Sequence, residues 1–414
     1  MKKIIFKTFH FPDVSETFIT NQVVAAIDMG YDVAIIVKKK KDIQESSQSA
    51  LIKKYDLLAK TFEITDLRPK NWLKVYLKAF RLVGNGYPAK YLRAFNFFKY
   101  NKAAGLSGRL FYDLVSIHSF LDADIFHVQF GVYAEPLVRL KKYGLLHGKI
   151  ITTFHGFDAH FTNHSFQEIK NKYKDLFTFG SKFTYNTPYL ADQLKRLKCP
   201  TSKLEIVPMG IDTNYFKPLP EKKETNKIKL ISVGRLIKWK GHAYGIKVIA
   251  ELVKKGFKVK YTIVGEGKEQ KNLEQLIKNL NLENNVVLIG AKDQQFIRNT
   301  MQQSDLFLMT STHDDKGRRE TQGVVTGEAQ ACGLPVCAFK SGGVPYTMVD
   351  GVTGFLSEED DYMDMAANVE KLITHVELRK KMSANARQFV TEHYSLGNST
   401  AKLQKIYQKL LNSN

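Results

Sequence analysis

The sequence predicts an α/β protein made of two doubly wound domains with parallel sheets. Three observations carry this. Short apolar runs alternate with longer helix-patterned stretches from end to end, which is how a parallel sheet is wound. At 414 residues the chain has room for two domains of ordinary size. Pro208-Met209-Gly210-Ile211-Asp212, followed by Pro218, Pro220 and the charged run Glu221–Lys229, breaks the alternation once, as a junction does. The first domain is therefore placed at residues 1–207 and the second at 208–395. The helix-patterned stretch Leu396–Leu411 is expected to pack back on the first.

The strands follow in order from apolar runs rich in β-branched residues. In the first domain they are Lys3–Phe6, Asp32–Val37, Ile125–Val128, Lys149–Thr153, Lys182–Tyr185 and Leu204–Val207. In the second they are Lys229–Val233, Lys260–Val264, Val286–Ile289, Asp305–Met309 and Pro335–Ala338. No internal repeat is present.

Composition narrows the function classes. A hydrophobic content of 43% and a charged content of 25% are those of a soluble globular protein, not of a disordered or bilayer-spanning chain. No segment approaches the roughly 18–20 apolar residues that cross a membrane. Met1-Lys2-Lys3-Ile4-Ile5-Phe6-Lys7 lacks the apolar core of a signal peptide and reads as a first strand. Cys199, Cys332 and Cys337 are an odd number with no Cys-x-x-Cys spacing, which argues against a disulfide framework or a zinc site and suits a reducing cytoplasm. The formal charge of +21 points to a polyanionic partner: nucleic acid, an anionic membrane surface or a phosphorylated substrate.

Residues 67–112 stand apart, because they contain no Asp or Glu. Their cations, among them Lys70, Lys74, Lys78 and Arg81, are interleaved with aromatic residues. Trp72, Tyr76 and Phe80 recur at helical spacing and share one face, with the four cations on an adjoining one. A basic amphipathic helix with aromatics marks a helix that lies in a membrane interface. The alternative is a core-facing aromatic stripe flanked by solvated lysines.

The chemistry is concentrated in the second domain. Glu320 and Glu328 have seven residues between them, and the small-residue stretch Gly323-Val324-Val325 opens a helix. Gly333-Leu334-Pro335 ends that helix. A helix N-terminus offers unpaired N–H groups and partial positive charge to a phosphate. A carboxylate before it and another on it can accept hydroxyl hydrogens. The arrangement suits a molecule with phosphates in its middle and hydroxyl-rich rings on both sides, as in a nucleotide sugar. Earlier in the chain, Gly234-Arg235-Leu236-Ile237-Lys238-Trp239-Lys240-Gly241 follows a strand. Gly234 permits the turn, Arg235 can clamp a phosphate with two hydrogen bonds, and Lys240 adds a point charge.

Gly234-Arg235-Leu236…Lys240-Gly241, Val264-Gly265-Glu266-Gly267, the two glutamates, and Gly342-Gly343-Val344-Pro345…Gly354-Phe355-Leu356 fall in order. Together they resemble the nucleotide-binding half of a family 4 glycosyltransferase, whose GT-B fold sets two Rossmann-like domains across a cleft. In the first domain, Phe11-Pro12-Asp13-Val14-Ser15-Glu16-Thr17-Phe18-Ile19 and Thr153-Phe154-His155-Gly156-Phe157-Asp158 are similar to the branch that builds bacterial exopolysaccharide, capsule or lipopolysaccharide. The family's commoner glycine-rich first loop is absent, so no donor contact is carried over from it.

The resemblance implies an acceptor-binding first domain and a donor-binding second domain. Arg235 and Lys240 would hold the donor diphosphate, UDP- or GDP-linked, and stabilise the leaving nucleotide. The N–H groups of Gly323, Val324 and Val325 would meet the distal phosphate. Glu328 would take the ribose hydroxyls, and Glu320 those of the transferred sugar. The base would lie near Gly265 and Ile289-Gly290. His155 matches the histidine that points at the donor sugar. The reaction would retain configuration and typically need no metal and no cofactor beyond the nucleotide sugar. The acceptor would be a glycan, most simply a lipid-linked one at the inner face of the membrane, reached by peripheral association through residues 67–112.

Other readings of single residues stay open at this point. Ser15, Glu16 and Asp158 are acceptor-side candidates, but each also stands where a helix cap is needed. His155, His160 and His164 lie in a loop with no carboxylate or Cys trio to complete a metal site. His313–Arg319 reads as a mobile loop beside the donor sugar. For the whole chain, a nucleotide-sugar epimerase would share the fold, but Arg235, Lys240 and the two glutamates favour transfer. A basic nucleic-acid-binding protein would explain the charge and leave that constellation unused.

Overall fold

Two parallel sheets, each covered by helices on both faces, organise the computed structural model, which describes residues 1–13, 16–46, 48–100, 106–159, 165–220 and 227–412. The chain divides into two units. One comprises Met1–Tyr185, Gln193–Glu205 and Leu403–Asn414; the other comprises Asn186–Asp192 and Ile206–Lys402.

The first nine strands are β1 (Lys3–Lys7), β2 (His10–Phe11), β3 (Asp32–Val37), β4 (Lys39–Lys40), β5 (Thr61–Glu63), β6 (Ile125–Gln129), β7 (Lys149–Thr153), β8 (Lys182–Tyr185) and β9 (Leu204–Ile206). Seven of them form a sheet in the order β5-β3-β1-β6-β7-β8-β9, while β2 and β4 pair separately. From β5 to β8 every pairing is parallel. The winding reverses between β1 and β6. At such a reversal the loops after the two neighbouring strands run apart, which is where open α/β sheets bind ligands.

The second unit has β10 (Ile228–Val233), β11 (Val259–Val264), β12 (Val286–Leu288), β13 (Leu306–Met309), β14 (Val336–Phe339) and β15 (Gly354–Ser357). Their order is β12-β11-β10-β13-β14-β15, parallel throughout. Side chains of successive strand residues point to opposite faces. Accordingly Leu306, Leu308, Cys337 and Phe339 enter one core, with Leu230 and Tyr261. Phe307, Met309, Val336 and Ala338 enter the other, with Ile231. Burial on both faces explains why these strands read as continuous apolar runs. The winding reverses here between β10 and β13.

The chain closes with the helix Leu396–Asn412, which buries Leu403, Ile406, Tyr407 and Leu410. Tyr407 is fully buried in the first unit, and its hydroxyl lies 2.7 Å from His127 Nδ1 on β6. His127 Nε2 meets Thr153 Oγ1 of β7 at 2.7 Å. Burial drives the His127 pKa down to about 3, so the imidazole is neutral and acts as structure.

Residues 72–84 form a helix, Trp72–Gly84, capped by the Asn71 side chain, which accepts from the N–H groups of Leu73 and Lys74. The expected face is corrected at one position. Trp72 and Phe80 are exposed, but Tyr76 turns inward, donating its hydroxyl to Leu106 O at 2.8 Å and stacking on Phe95. Among the described residues no helix is long and apolar enough to cross a membrane.

Candidate functional site

The residues singled out in the second half gather at the reversal between β10 and β13. Two loops flank it: Gly234–Gly241 after β10 and Thr310–Gly323 after β13. The loops are tied together. Thr312 N–H donates to Trp239 O at 2.9 Å, and Thr310 Oγ1 donates to Lys240 O at 3.1 Å. Across this join Lys240 Nζ is ion-paired with the Glu320 carboxylate, both side chains largely buried. Lys240 Nζ also sits 4.8 Å from the centre of the Trp239 ring, and the Arg318 guanidinium lies 5.8 Å from the same ring. The indole gathers two cations beside the β10–β13 reversal.

Glycines let the backbones close up. A Cβ at Gly265 would lie 1.9 Å from Gly234 O, and one at Gly343 would lie 1.8 Å from Thr321 O. Only a bare backbone fits at either place. Gly343 N–H then donates to Glu320 O at 2.8 Å, and Gly265 N–H donates to Gly290 O at 2.9 Å, beside Ile289. Gln322, buried, exchanges two hydrogen bonds of 2.8 Å with the backbone of Met209, so the junction segment holds the loop that carries Glu320. Thr187 Oγ1 adds a 2.5 Å bond to Thr321 O.

The helix after Gly323 runs Val324–Ala331. Gly323 itself has φ +72°, the left-handed turn that launches it. The N–H groups of Gly323, Val324 and Val325 have no acceptor among the described residues. Glu328 lies on this helix. Its carboxylate has no hydrogen bond or ion pair among the described residues, and burial pushes its pKa up to about 7. Arg235 is exposed and likewise uncommitted. The site therefore holds one cation–carboxylate pair already made, one cation and one carboxylate still to be matched, and three free N–H donors. A diphosphate joined to a ribose matches that set.

The loop His313–Arg319 is anchored through Glu359. Arg319 grips that carboxylate with bonds of 2.6 and 2.9 Å, and His313 Nδ1 lies 3.0 Å from it.

In the first unit, the remaining candidates stand at the reversal between β1 and β6. His155 follows β7. Its Nε2 lies 2.8 Å from Gln129 Oε1, and its ring is flanked by Phe18 at 4.3 Å and Phe130 at 4.6 Å. Burial lowers its pKa to about 3, so it is a neutral imidazole at any working pH. Asp158 accepts from the N–H groups of Gly131, His155 and Gly156 at 2.9, 3.1 and 2.9 Å. Burial raises its pKa to about 6 in spite of these bonds. Its oxygens are occupied in holding the loop that presents His155. Glu16 precedes the helix Thr17–Asp28 without capping it, and its Oε2 is buried with no hydrogen bond among the described residues. Burial, then the neighbouring Asp13, raises its pKa to about 7. Ser15, His160 and His164 lie outside the described residues. Among those described, no three His, Cys, Asp or Glu side chains cluster as metal ligands.

Sequence reasoning passed over Trp239, Gln322, Gln129 and Glu359. Trp239 and Gln322 lie inside motifs already noted, so their position was a usable signal. Gln129 and Glu359 act on partners 26 and 40 residues away, and no spacing marks them.

A doubly wound pair of units is the architecture of one large class of glycosyltransferases, and comparison with known proteins assigns this chain to it. Residues 15–215 match the family described as Glycosyltransferase Family 4, and residues 216–389 match Glycosyl transferases group 1. The amylovoran biosynthesis glycosyltransferase AmsK of Erwinia amylovora is 31% identical over 89% of this chain and 90% of its own. A Salmonella typhimurium protein named for colanic acid biosynthesis, WcaL, is 29% identical over 99% of this chain and 100% of its own. HepE of Anabaena, solved in complex with UDP, superposes with a TM-score of 0.73 at 17% identity, covering 99% of this chain and 100% of its own. The chain belongs to glycosyltransferase family 4 and has the GT-B type of fold.

Proposed function

We propose that this glycosyltransferase moves a sugar from a nucleoside diphosphate donor, UDP- or GDP-linked, to a glycan acceptor in surface polysaccharide synthesis, with retention of configuration. The observation that carries this is Glu328. Its carboxylate is half-buried with no hydrogen bond or ion pair among the described residues, and its partial desolvation favours a ligand that donates to it. Glu328 lies on the helix whose free N-terminus suits a phosphate, next to loops bearing Arg235 and Lys240. Ribose hydroxyls would donate to it. The names of AmsK and WcaL support an exopolysaccharide product, and HepE, solved with UDP and with UDP-glucose, supports a uridine donor.

The chemistry follows from the charges. The C–O bond to the diphosphate breaks as negative charge grows on the leaving phosphate. Arg235, Lys240 and the N–H groups of Gly323, Val324 and Val325 offset that charge without a metal. Glu320 accepts from hydroxyls of the transferred sugar while holding Lys240. The role that the family pattern assigns to His155, a hydrogen bond to that sugar, suits a neutral imidazole. With no second carboxylate among the described residues assigned as a nucleophile, the acceptor oxygen attacks on the face that the nucleotide leaves, and the departing phosphate takes its proton. On the acceptor side Glu16 offers a buried oxygen that has no partner among the described residues, whereas Asp158 shapes the loop. We assign the acceptor to a lipid-linked glycan and the protein to peripheral association with the cytoplasmic face of the membrane. The support is the basic, acid-free segment 67–112.

A thermal-shift screen with UDP, GDP and their sugars tests the reading, because a ligand that binds only the folded state raises its melting point. One nucleoside diphosphate and its sugar should stabilise the protein, and the anomeric configuration of the product should match that of the donor. An inverted product removes the retaining mechanism. Interconversion of free nucleotide sugars without an acceptor favours an epimerase.

A further inference from the structure

We propose that the helix Trp72–Gly84 is an interfacial anchor that lies in an anionic bilayer surface and buries Trp72, Leu73, Leu77 and Phe80 among the lipids. The inference rests on the membrane-bound reading above and goes further. It assigns the hold to apolar insertion as well as to charge, and it names the inserted face.

The face is visible in the exposures. Trp72 is 69% exposed, Leu73 55%, Leu77 71% and Phe80 63%. At 3.6 residues per turn these four fall within an arc of about 140°. The adjoining side of the helix is engaged by the fold. Val75 and Ala79 are buried, and Tyr112 donates its hydroxyl to Val75 O at 2.7 Å, while Tyr76, which its period places between Trp72 and Phe80, is drawn in by Leu106 and Phe95. The helix thus has one apolar side used by the fold and a second that the fold leaves in water. A solvated helix puts polar residues on its outer side. Phe98, 87% exposed and next to Lys99, adds another large apolar group in the same segment.

Charge selects the occupant. Lys74 and Arg81 are exposed beside the apolar arc, and residues 67–112 hold no acid at all. A second copy of this chain would bring two uncompensated basic faces together, which Coulomb repulsion opposes. An anionic lipid surface supplies both an apolar layer at the depth of the side chains and negative headgroups at the height of the ammonium groups. Tryptophan favours that boundary for its amphipathic ring.

The chain has two tryptophans, Trp72 and Trp239, so Trp239→Phe leaves Trp72 as the single reporter, and nucleotide binding is not the readout. Its emission is followed as phosphatidylcholine vesicles are added with and without phosphatidylglycerol, at about 0.1 M and about 1 M salt. Lipids brominated in the acyl chain serve as quencher. Trp72 should shift to the blue and be quenched on the anionic vesicles, and part of the binding should survive high salt. Leu73→Ser with Leu77→Ser should weaken partitioning by about tenfold per side chain. Both residues are solvent-exposed, and an unchanged melting point shows that the fold is kept. If the protein binds anionic vesicles while Trp72 is neither shifted nor quenched, insertion is wrong and a purely electrostatic contact stands. If it binds no vesicle, the membrane reading itself fails. If it self-associates through this face without lipid, a second copy is the occupant and the proposal is overturned.

Discussion

Lys240 and Glu320, 80 residues apart in the chain, form an ion pair across the two loops that flank the β10–β13 reversal. The pair holds the lysine in place before any ligand arrives, and Gly343, Gln322 and Thr187 hold the backbone around Glu320. A fixed cation needs little rearrangement when charge develops on a leaving phosphate.

Lys240→Ala and Arg235→Ala should each lower the rate of nucleoside diphosphate release from the donor, with loss of about 2–4 kcal/mol of transition-state stabilisation. The melting point should change little for Arg235→Ala, whose guanidinium makes no bond among the described residues. Steady-state kinetics decides it, and near-wild-type turnover in either variant removes the phosphate clamp.

Nucleotide affinity should depend on pH through Glu328. Its pKa in the folded chain is raised to about 7, above the ordinary 4.5, because burial disfavours the charge. The unfolded chain therefore gives up this proton first. The group's contribution to stability is full below about pH 4.5 and is lost as pH rises through about 7. Binding runs the other way, since ribose hydroxyls donate best to the carboxylate. Affinity should fall by about tenfold one pH unit below that pKa. Glu328→Gln should abolish this dependence, and calorimetry across the range checks it. Parallel pH profiles for the two proteins would rule Glu328 out.

Transfer should survive chelation by EDTA. In the proposed reading Arg235, Lys240 and the helix N-terminus balance the diphosphate. Complete loss of activity that magnesium or manganese restores would refute this.

Tyr407→Phe should destabilise the protein by about 1–3 kcal/mol, because it leaves His127 Nδ1 buried and unsatisfied. Denaturant unfolding followed by circular dichroism measures it. Nucleotide affinity should be unchanged, since Tyr407 belongs to the first unit and the candidate donor residues to the second.

The parallel strands were legible because burial on both faces writes them as apolar runs. Asp32–Val37, Lys149–Thr153 and Lys182–Tyr185 agree with the structure residue for residue. Thr61–Glu63 was not legible, being three residues long and half exposed at a sheet edge. Gly354–Ser357 hid within a glycine motif. The same contrast holds at the site. Arg235, Lys240, Glu320 and Glu328 announce themselves by type and spacing, whereas the engagement of Gln322 with Met209 and of Gln129 with His155 depends on long-range packing. The helix at 72–84 was readable from its period. Which of its faces the fold would use was not, because Leu106 and Phe95, which draw Tyr76 inward, lie far along the chain.

The central claim is that Glu328 reads the nucleotide and Glu320 the sugar it carries. Calorimetry with the free nucleoside diphosphate separates them directly, because ribose remains in that molecule and the transferred sugar does not. Glu328→Ala should lose at least about tenfold in affinity, the worth of a charge-assisted hydrogen bond. Glu320→Ala should bind nearly as wild type while turning over the intact donor slowly. Equal loss of affinity in both variants would contradict the assignment.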